Sequence, residues 1–308
     1  MISAKVVGIG AVLFDILMTV PNFPAEDTKI QGLESKTQCG GPCATALVTV
    51  AKLGETAEYL GTLGDDTYGR YILKQLNHYG VATNHVRVEN GKQSFHSFVM
   101  LNLNNASRTC IWNRGTVDIP SSEDVDLNAL RRATFLHLDG HQLDAALYAA
   151  RRAREFGVLV SLDAGGVYPG IEQLLPWVNI LIPSEEFAME YTGKKTGIEA
   201  AEILYKKYHP RTLIITQGKR GGFLWDGEEK RYPVFSVKAV DSNGAGDTFH
   251  GAFLYGKLKG FTDMDAAIFA SATSALKCTR FGAQEGIPGN SEVIRFLKEN
   301  GRGNFLCR

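Results

Sequence analysis

One short segment of this chain combines residue types that suit phosphoryl chemistry. Residues 241–247 read DSNGAGD, so a Gly-Ala-Gly run stands immediately before Asp247. Glycine lets backbone approach a ligand closely, and amides at a helix N-terminus attract phosphate oxygens. A carboxylate beside them can accept the proton of a hydroxyl that attacks phosphorus. The same letters fit a glycine turn with an acidic helix cap, and taken alone the segment favours that simpler interpretation.

The flanking pattern predicts where this segment lies. Residues 232–240 alternate as in a strand and 248–258 are typical of a helix, which puts the glycines at a strand-to-helix junction. Two common nucleotide-binding motifs are missing from the sequence. Gly8 and Gly10 are followed by Leu13 where a dinucleotide fingerprint needs glycine, and no G-x-x-x-x-G-K-[ST] run occurs.

Length and charge favour a single domain that handles small molecules. The 308 residues include 33 basic and 33 acidic side chains, so we expect neither nucleic acid nor a membrane surface as partner. The cysteines are odd in number and form no C-x-x-C pair, so we expect no zinc site, no disulfide framework and a cytoplasmic protein. They are Cys39, Cys43, Cys110, Cys278 and Cys307.

The apolar amino-terminal stretch predicts a buried strand over residues 5–14. Asp15 interrupts it and no small-residue cleavage site follows, so we do not expect a signal peptide. The stretch is also too short to cross a bilayer.

Strand-like and helical patterns then alternate along the chain, which predicts a mostly parallel sheet with helices on both faces. Predicted strands cover 57–64, 134–139, 158–163, 178–183 and 212–218. Predicted helices cover 44–54, 68–80, 142–156, 184–192, 198–208, 246–258, 262–278 and 290–299.

Two stretches, 28–38 and 94–113, instead show the rough alternation of half-exposed antiparallel strands. They could form a small sheet over a cleft, such as a lid, or a pair of edge hairpins. The pattern does not distinguish these two arrangements.

Five segments resemble the signatures of the ribokinase-like, or PfkB, family of carbohydrate kinases. DSNGAGD resembles the family's D-T-x-G-A-G-D signature, and four more segments follow family order over nearly the whole chain. These are CGGPCATALVTVAKLG (39–54), GTLGDDTYG (61–69), ITQGKRGG (215–222) and TRFGAQEGIP (279–288). Together they favour the catalytic interpretation of Asp247 over the helix cap.

The resemblance implies ATP-dependent phosphorylation of a hydroxyl of a small sugar by one kinase domain, 1–308. It implies an α/β fold with a small β-sheet lid, whose strands would lie within about 12–40 and 92–116, and a homodimer formed through them. Asp247 would be the general base, with an anion hole formed by Gly244, Ala245 and Gly246.

Carried over position by position, the resemblance also implies binding residues. Asp15, Gly40 and Gly41 would contact the sugar. The nucleotide would contact Thr216, Gly218 and Gly221, with Gly282 and Ala283 closing its site. Asp241 and Asn243 stand where some members bind a monovalent cation such as K⁺, and Mg²⁺ would arrive with ATP, held mainly by phosphates and water.

Two segments depart from the family pattern. Thr45 replaces the asparagine of G-G-x-x-x-N, which shortens a substrate-facing amide to a hydroxyl. The N-x-x-E segment reads SEEF, so Ser184 takes the nucleotide-side asparagine position and Phe187 that of the glutamate that organises water around magnesium. Glu185 or Glu186 could substitute, and they could equally be solvated charges at the start of a helix.

The substrate is the least constrained feature. GGPCATA and ALKCTR resemble a family branch that contains 6-deoxy-6-sulfofructose kinase, in which Lys29 and Asn113 match positions near the sulfonate. His141 matches its sulfonate-binding arginine and would hold an anion less well, although it could equally be a structural loop histidine. ASRTCIWN resembles ketohexokinase-like members, so we expect a neutral ketose or pentose. The alternatives are sulfofructose, a nucleoside, or a non-catalytic sugar- or nucleotide-binding protein on this fold.

Overall fold

A computed structural model of the chain describes residues 4–104 and 107–304, and every element named below lies within those ranges. Cys307 and residues 105–106 of the predicted 94–113 stretch lie outside them. The centre is a nine-stranded sheet. It is parallel except at one edge, where residues 212–216, 222–225 and 229–232 pair in antiparallel fashion. Its strands, in order across the sheet, are β15 (Glu229–Tyr232), β14 (Gly222–Trp225), β13 (Thr212–Thr216), β12 (Ile180–Pro183), β11 (Leu159–Ala164), β10 (Phe135–Leu138), β1 (Val6–Ile9), β4 (Ala57–Tyr59) and β6 (Val81–Ala82).

Helices cover both faces of this sheet because its strands are apolar on both sides. Val6 packs into a core with the helices over 42–52, 245–258 and 263–278, whereas its neighbour Val7 packs on the other face with those over 143–156 and 197–208. The helices are α1 (Pro42–Lys52), α2 (Thr67–His78), α3 (Leu127–Arg132), α4 (Leu143–Phe156), α5 (Ile171–Leu174), α6 (Glu185–Thr192), α7 (Gly197–Tyr208), α8 (Ala245–Leu258), α9 (Asp263–Cys278) and α10 (Asn290–Glu299).

A separate four-stranded sheet, called here the small sheet, has the order β3 (Glu34–Gly40), β2 (Leu13–Val20), β8 (His96–Asn102) and β9 (Arg108–Asn113). A two-stranded parallel sheet joins β5 (Gly61–Gly64) to β7 (Val86–Glu89). The predicted fold class, a mostly parallel sheet with helices on both faces plus a small separate sheet, is therefore confirmed.

The order of strands fixes where a ligand site belongs. β1 lies between β10 and β4, so successive strands are added on one side of β1 early in the chain and on the other side from β10 onward. In open α/β sheets, ligands bind at the carboxyl ends of the strands where this direction reverses. The crevice beyond Ile9 and Leu138 is that place.

Three predicted strands have different bounds. The 5–14 strand is two strands in different sheets, since the amide of Ala11 leaves the ladder and donates to Asp139. The 57–64 strand is also divided, between β4 and β5. The 28–38 stretch is strand only from Glu34.

The predicted strand over 232–240 is wrong. The ladder ends at Tyr232, because Pro233 has no N–H to continue it, and the chain that follows is irregular and lines a cavity. The predicted helices agree with the observed ones to within about two residues. Across the described ranges, no helix is both long enough and apolar enough to span a membrane.

Candidate active site

The glycine segment predicted from the sequence forms the N-terminus of α8. Gly244 precedes the helix with φ 77°, a left-handed conformation that favours glycine. A Cβ there would lie 3.0 Å from the Cβ of Ala283, whereas a Cβ at Gly246 would meet nothing within 4 Å. The first amides of a helix have no acceptor within it, so this end can bind an anion. In this structure the amide of Ala245 donates to the carbonyl oxygen of Ser242 at 3.2 Å, a bond that an anion would have to replace.

Asp247 lies in the first turn of α8, next to those amides. Burial, and then the neighbouring carboxylate of Asp163, raise the pKa of Asp247 to about 7, while His250 acts in the opposite direction. A carboxylate with that pKa accepts a proton far more readily than an ordinary aspartate near neutral pH. The position and the proton affinity both suit a general base.

Three buried polar residues near Asp247 were not predicted from the sequence: Asp163, His250 and His137. His250 Nε2 is 3.2 Å from Asp163 Oδ1, and its ring centroid is 5.8 Å from that of His137. Burial acts to raise the pKa of Asp163, but the charge of His250 and its hydrogen bond act in the opposite direction, and the pKa is lowered. Burial lowers the pKa of His137 to about 3. The negative charge of Asp163 therefore favours the protonated form of Asp247.

Asp139, also missed, connects three segments at the crevice. Its Oδ2 accepts the amides of Ala11 at 2.7 Å and Cys43 at 3.1 Å, and its Oδ1 accepts the amide of His141 at 3.0 Å. The carboxylate thereby fixes the end of β1, the start of α1 and the loop after β10. A signal for both missed aspartates was present, because each stands at the end of a predicted strand.

Asp15 is positioned by its cross-strand neighbours in the small sheet. Ser97 Oγ donates to its Oδ1, and Gln38 Nε2 donates to its Oδ2 at 3.3 Å. Burial raises the pKa of Asp15. A Cβ at Gly40 would lie 2.3 Å from Asp15 Oδ2, so any larger residue at that position would displace the carboxylate.

Gly41 is constrained as well. It has φ 103°, and a Cβ there would lie 2.4 Å from the carbonyl oxygen of Ala11. The predicted sugar-binding residues Asp15, Gly40 and Gly41 therefore lie together.

Gln38 joins this sugar side to the segment 279–288. While its Nε2 donates to Asp15, its Oε1 accepts the amide of Ala283 at 3.3 Å. Ala283 packs in turn against Gly244 at the start of α8. One amide side chain thus contacts both the predicted sugar aspartate and the segment next to the anion hole.

The remaining predicted sugar contacts are more scattered. Thr45 is fully buried, and its hydroxyl accepts from Gln284 Nε2 at 3.5 Å. His141 packs against Tyr168, with ring centroids 4.4 Å apart. Lys29 is exposed, and Asn113 is exposed with its Oδ1 accepting the amide of Gly115.

A cavity of about 550 Å³ opens beside the predicted anion hole. Three predicted nucleotide residues and two of the anion-hole residues lie on its wall: Thr216, Gly218, Gly221, Ala245 and Gly246. Apolar side chains, including Val234, Phe235 and Phe249, cover the rest. The volume and the apolar lining suit a purine base and ribose.

Two other predicted nucleotide residues act through backbone. Gly282 donates its amide to Asp241 Oδ2 at 2.9 Å, and Ala283 donates to Gln38 as described. Ser184 caps α6 through its hydroxyl, which accepts the amide of Phe187 at 3.0 Å.

The SEEF segment offers few oxygen atoms to a metal. Glu185 accepts from Gln217 Nε2 at 2.7 Å and also from Arg220, whereas Glu186 is exposed at the start of α6. Phe187 is buried and stacks on Tyr191. Within the described ranges, no three His, Cys, Asp or Glu residues form a metal-binding group. These residues fit a magnesium ion held by phosphates and water better than one held by a protein cage.

Similarity to known proteins extends over the whole site. Residues 3–290 match the sequence profile of the family described as pfkB family carbohydrate kinase. A ribokinase from Haemophilus influenzae is 26% identical over 94% of this chain and 97% of its own length. A 5-dehydro-2-deoxygluconokinase from Clostridium tetani is 25% identical, over 96% of this chain and 93% of its own.

A solved structure is similar as well. Arabidopsis thaliana ribokinase complexed with ribose and ATP superposes with a TM-score of 0.86 at 27% identity, covering 96% of this chain and 99% of that chain.

Proposed function

This chain belongs to the pfkB family of carbohydrate kinases, and we propose that it transfers the γ-phosphoryl group of ATP to a hydroxyl of a small ketose or pentose with Asp247 as general base. ATP-dependent sugar kinase activity is common to the relatives described above. The choice of sugar and the roles of individual residues are our proposal.

One observation carries the proposal: a carboxylate with a pKa of about 7 stands beside a helix N-terminus that opens into a nucleotide-sized cavity. The sugar hydroxyl gives its proton to Asp247 as its oxygen bonds to the γ-phosphorus, and the bond from that phosphorus to the β,γ-bridging oxygen breaks to release ADP. The amides at Gly244, Ala245 and Gly246 stabilise the charge on the transferring group. Mg²⁺ bound to ATP would neutralise phosphate charge.

The sugar side supports a neutral substrate. The carboxylate of Asp15 can accept hydrogen bonds from sugar hydroxyls, and its charge disfavours a sulfonate nearby. His141 packs on Tyr168, and Lys29 is exposed, which gives little support to a strong anion clamp. A ketose or a pentose therefore fits better than sulfofructose.

The test is an ATP-coupled assay across ketoses, pentoses, 6-deoxy-6-sulfofructose and nucleosides. Asp247→Asn should lower kcat with the best substrate by roughly 100- to 10,000-fold, the usual contribution of a general base. Asp144→Asn is a matched control, since Asp144 is an exposed aspartate in the first turn of α4. An active Asp247→Asn enzyme would refute the mechanism, and sugar binding without ATP consumption would favour the non-catalytic alternative.

We also propose a homodimer formed through the small sheet. Phe98 and Ile111 are cross-strand partners on one face of that sheet, and they are 49% and 63% exposed. Exposed apolar patches of this kind often mark interfaces. Sedimentation analysis should give a dimer for the unaltered chain and a monomer for Phe98→Lys; a monomeric unaltered chain would contradict the proposal.

A further inference from the structure

The last turn of α9 carries a fully buried lysine, Lys277, whose side chain is 0% exposed. Lysine is almost never buried in this way without a partner for its charge. Its Nζ donates to the backbone carbonyl oxygen of Asp241 at 2.9 Å and lies 3.8 Å from Asp241 Oδ2. The ammonium group therefore sits against the residue that begins the DSNGAGD segment.

Asp241 holds together the two segments on either side of it. Its Oδ1 accepts the amide of Asn243 at 2.8 Å, and its Oδ2 accepts the amide of Gly282 at 2.9 Å. Its own amide donates to the carbonyl oxygen of Cys278 at 3.1 Å. Every polar group of Asp241 thus helps to fix the residues that lead into the anion hole.

The charge of Lys277 matches this arrangement. Burial lowers the pKa of Lys277, and the carboxylate of Asp241 acts in the opposite direction, as expected for a paired ammonium. Asp247 acts in that direction too, so the field of the ammonium extends to the proposed base. Lys277 therefore offsets the negative charge of two aspartates at the anion hole.

A monovalent cation at Asp241 and Asn243 does not fit these residues. Such an ion would need the oxygen atoms of Asp241 that already face the ammonium, and two cations about 4 Å apart repel each other. The side-chain oxygen of Asn243 is also engaged, since it accepts from Arg108 Nη1 at 2.8 Å. The K⁺ site that the family resemblance implied is therefore not formed in this chain.

We propose that the Lys277 ammonium is a built-in substitute for that ion, which positions residues 241–246 and makes the kinase independent of monovalent cations. The inference rests on the proposed function only in assigning the anion hole to these residues. An ammonium group presents three donors to the same kind of oxygen atoms that would surround an alkali ion. Because its side chain is fully buried, Lys277 acts through Asp241 and is a positioning residue.

The first test compares initial rates of the unaltered enzyme in KCl, NaCl, NH₄Cl and choline chloride at equal ionic strength, with ATP and Mg²⁺ fixed. We expect equal rates in all four salts. Activation of roughly tenfold or more by K⁺ or NH₄⁺ over choline, a coupling of about 1.4 kcal/mol, would overturn the proposal.

Two variants of Lys277 then compare an empty space beside Asp241 with one filled by an uncharged side chain. Lys277→Ala leaves room for an ion beside Asp241, so its lost activity should return in K⁺ or NH₄⁺ and not in choline. Lys277→Met fills the space without charge, so it should stay impaired in every salt. Lys257→Met is the matched control, because Lys257 also binds a carbonyl, that of Phe261, and a carboxylate, that of Asp263. It should remain independent of the salt.

A measurement without sugar keeps this inference separate from the proposed function. Thermal unfolding in the same four salts should show a selective rise in the Tm of Lys277→Ala with K⁺ or NH₄⁺, and no such rise for the unaltered chain. A cation-dependent Tm of the unaltered chain would refute the inference, whether or not any sugar is phosphorylated. If Lys277→Ala does not fold, the salt dependence of the unaltered chain decides.

Discussion

The guanidinium of Arg108 donates to the side-chain oxygen of Asn243 at 2.8 Å, although the two residues are 135 positions apart. Arg108 begins β9 in the small sheet, and Asn243 immediately precedes the glycines of the anion hole. The small sheet therefore touches the segment proposed to hold the phosphoryl group. A contact of this kind is what the lid implied by the family resemblance would make.

Removing that contact should loosen the lid without disturbing the core. We expect Arg108→Ala to reduce kcat/KM by roughly tenfold, since a hydrogen bond to a charged group contributes about 1.5–3 kcal/mol. Thr109→Ala, at an exposed neighbour on the same strand, is the control and should behave like the unaltered enzyme. Equal kinetics for the two variants would show that the contact has no role in turnover.

The pH dependence of kcat/KM should report Asp247. Because its pKa is raised to about 7, the fraction of ionised base falls as the pH drops through that value, and kcat/KM should fall with it. Folding favours the protonated form of Asp247. Its contribution to the free energy of unfolding is therefore present at low pH and lost as the pH rises through about 7. Asp247→Asn should therefore raise Tm more at pH 8 than at pH 5. An acidic limb near pH 4 would argue against the shift.

Asp163 should determine the pH at which kcat/KM falls on the acidic side of its profile. Its charge is the largest electrostatic contribution, after burial, to the raised pKa of Asp247. Asp163→Asn keeps an acceptor for His250 and removes the charge, so the acidic limb of kcat/KM should move to lower pH. Asp144→Asn, at an exposed aspartate in the first turn of α4, should leave the limb in place. A purely structural role for Asp163 would lower the rate at every pH without moving the limb.

Gly40→Ala tests the sugar pocket. The new Cβ would stand 2.3 Å from Asp15 Oδ2, so the carboxylate must move away from its place between Ser97 and Gln38. We expect the KM for sugar to rise by roughly tenfold, in line with the 1–3 kcal/mol of overpacking, and the KM for ATP to change little. Gly289→Ala, where a Cβ meets nothing within 4 Å, is the control. A selective rise in the KM for ATP would contradict this, because it would show that Gly40 affects nucleotide binding rather than sugar binding.

The sequence was sufficient for features that depend on local pattern. Periodicity predicted α8 and its neighbours to within about two residues, and the glycines before Asp247 were found because turn, helix start and carboxylate are contiguous. The failures were also local in origin. Residues 232–240 alternate as a strand does, but Pro233 cannot continue the ladder.

Contacts between distant residues could not be predicted in this way. Asp139 bonds the amide of Ala11 across 128 positions, and Gln38 bonds that of Ala283 across 245. Lys277 has the pattern of an ordinary lysine near a helix C-terminus, and only the packing of α9 shows that its ammonium is buried. Such roles depend on how the sheet brings loop ends together, which a linear pattern does not encode.

The position of Gln38 between Asp15 and Ala283 bears on how each substrate affects the affinity for the other. A sugar that draws Asp15 into new hydrogen bonds changes what the amide of Gln38 faces, and this change reaches Ala283 beside Gly244. Coupling of this kind is reciprocal: if sugar tightens ATP binding by some factor, ATP must tighten sugar binding by the same factor. Substrate synergy of this enzyme would then pass through one neutral side chain, that of Gln38.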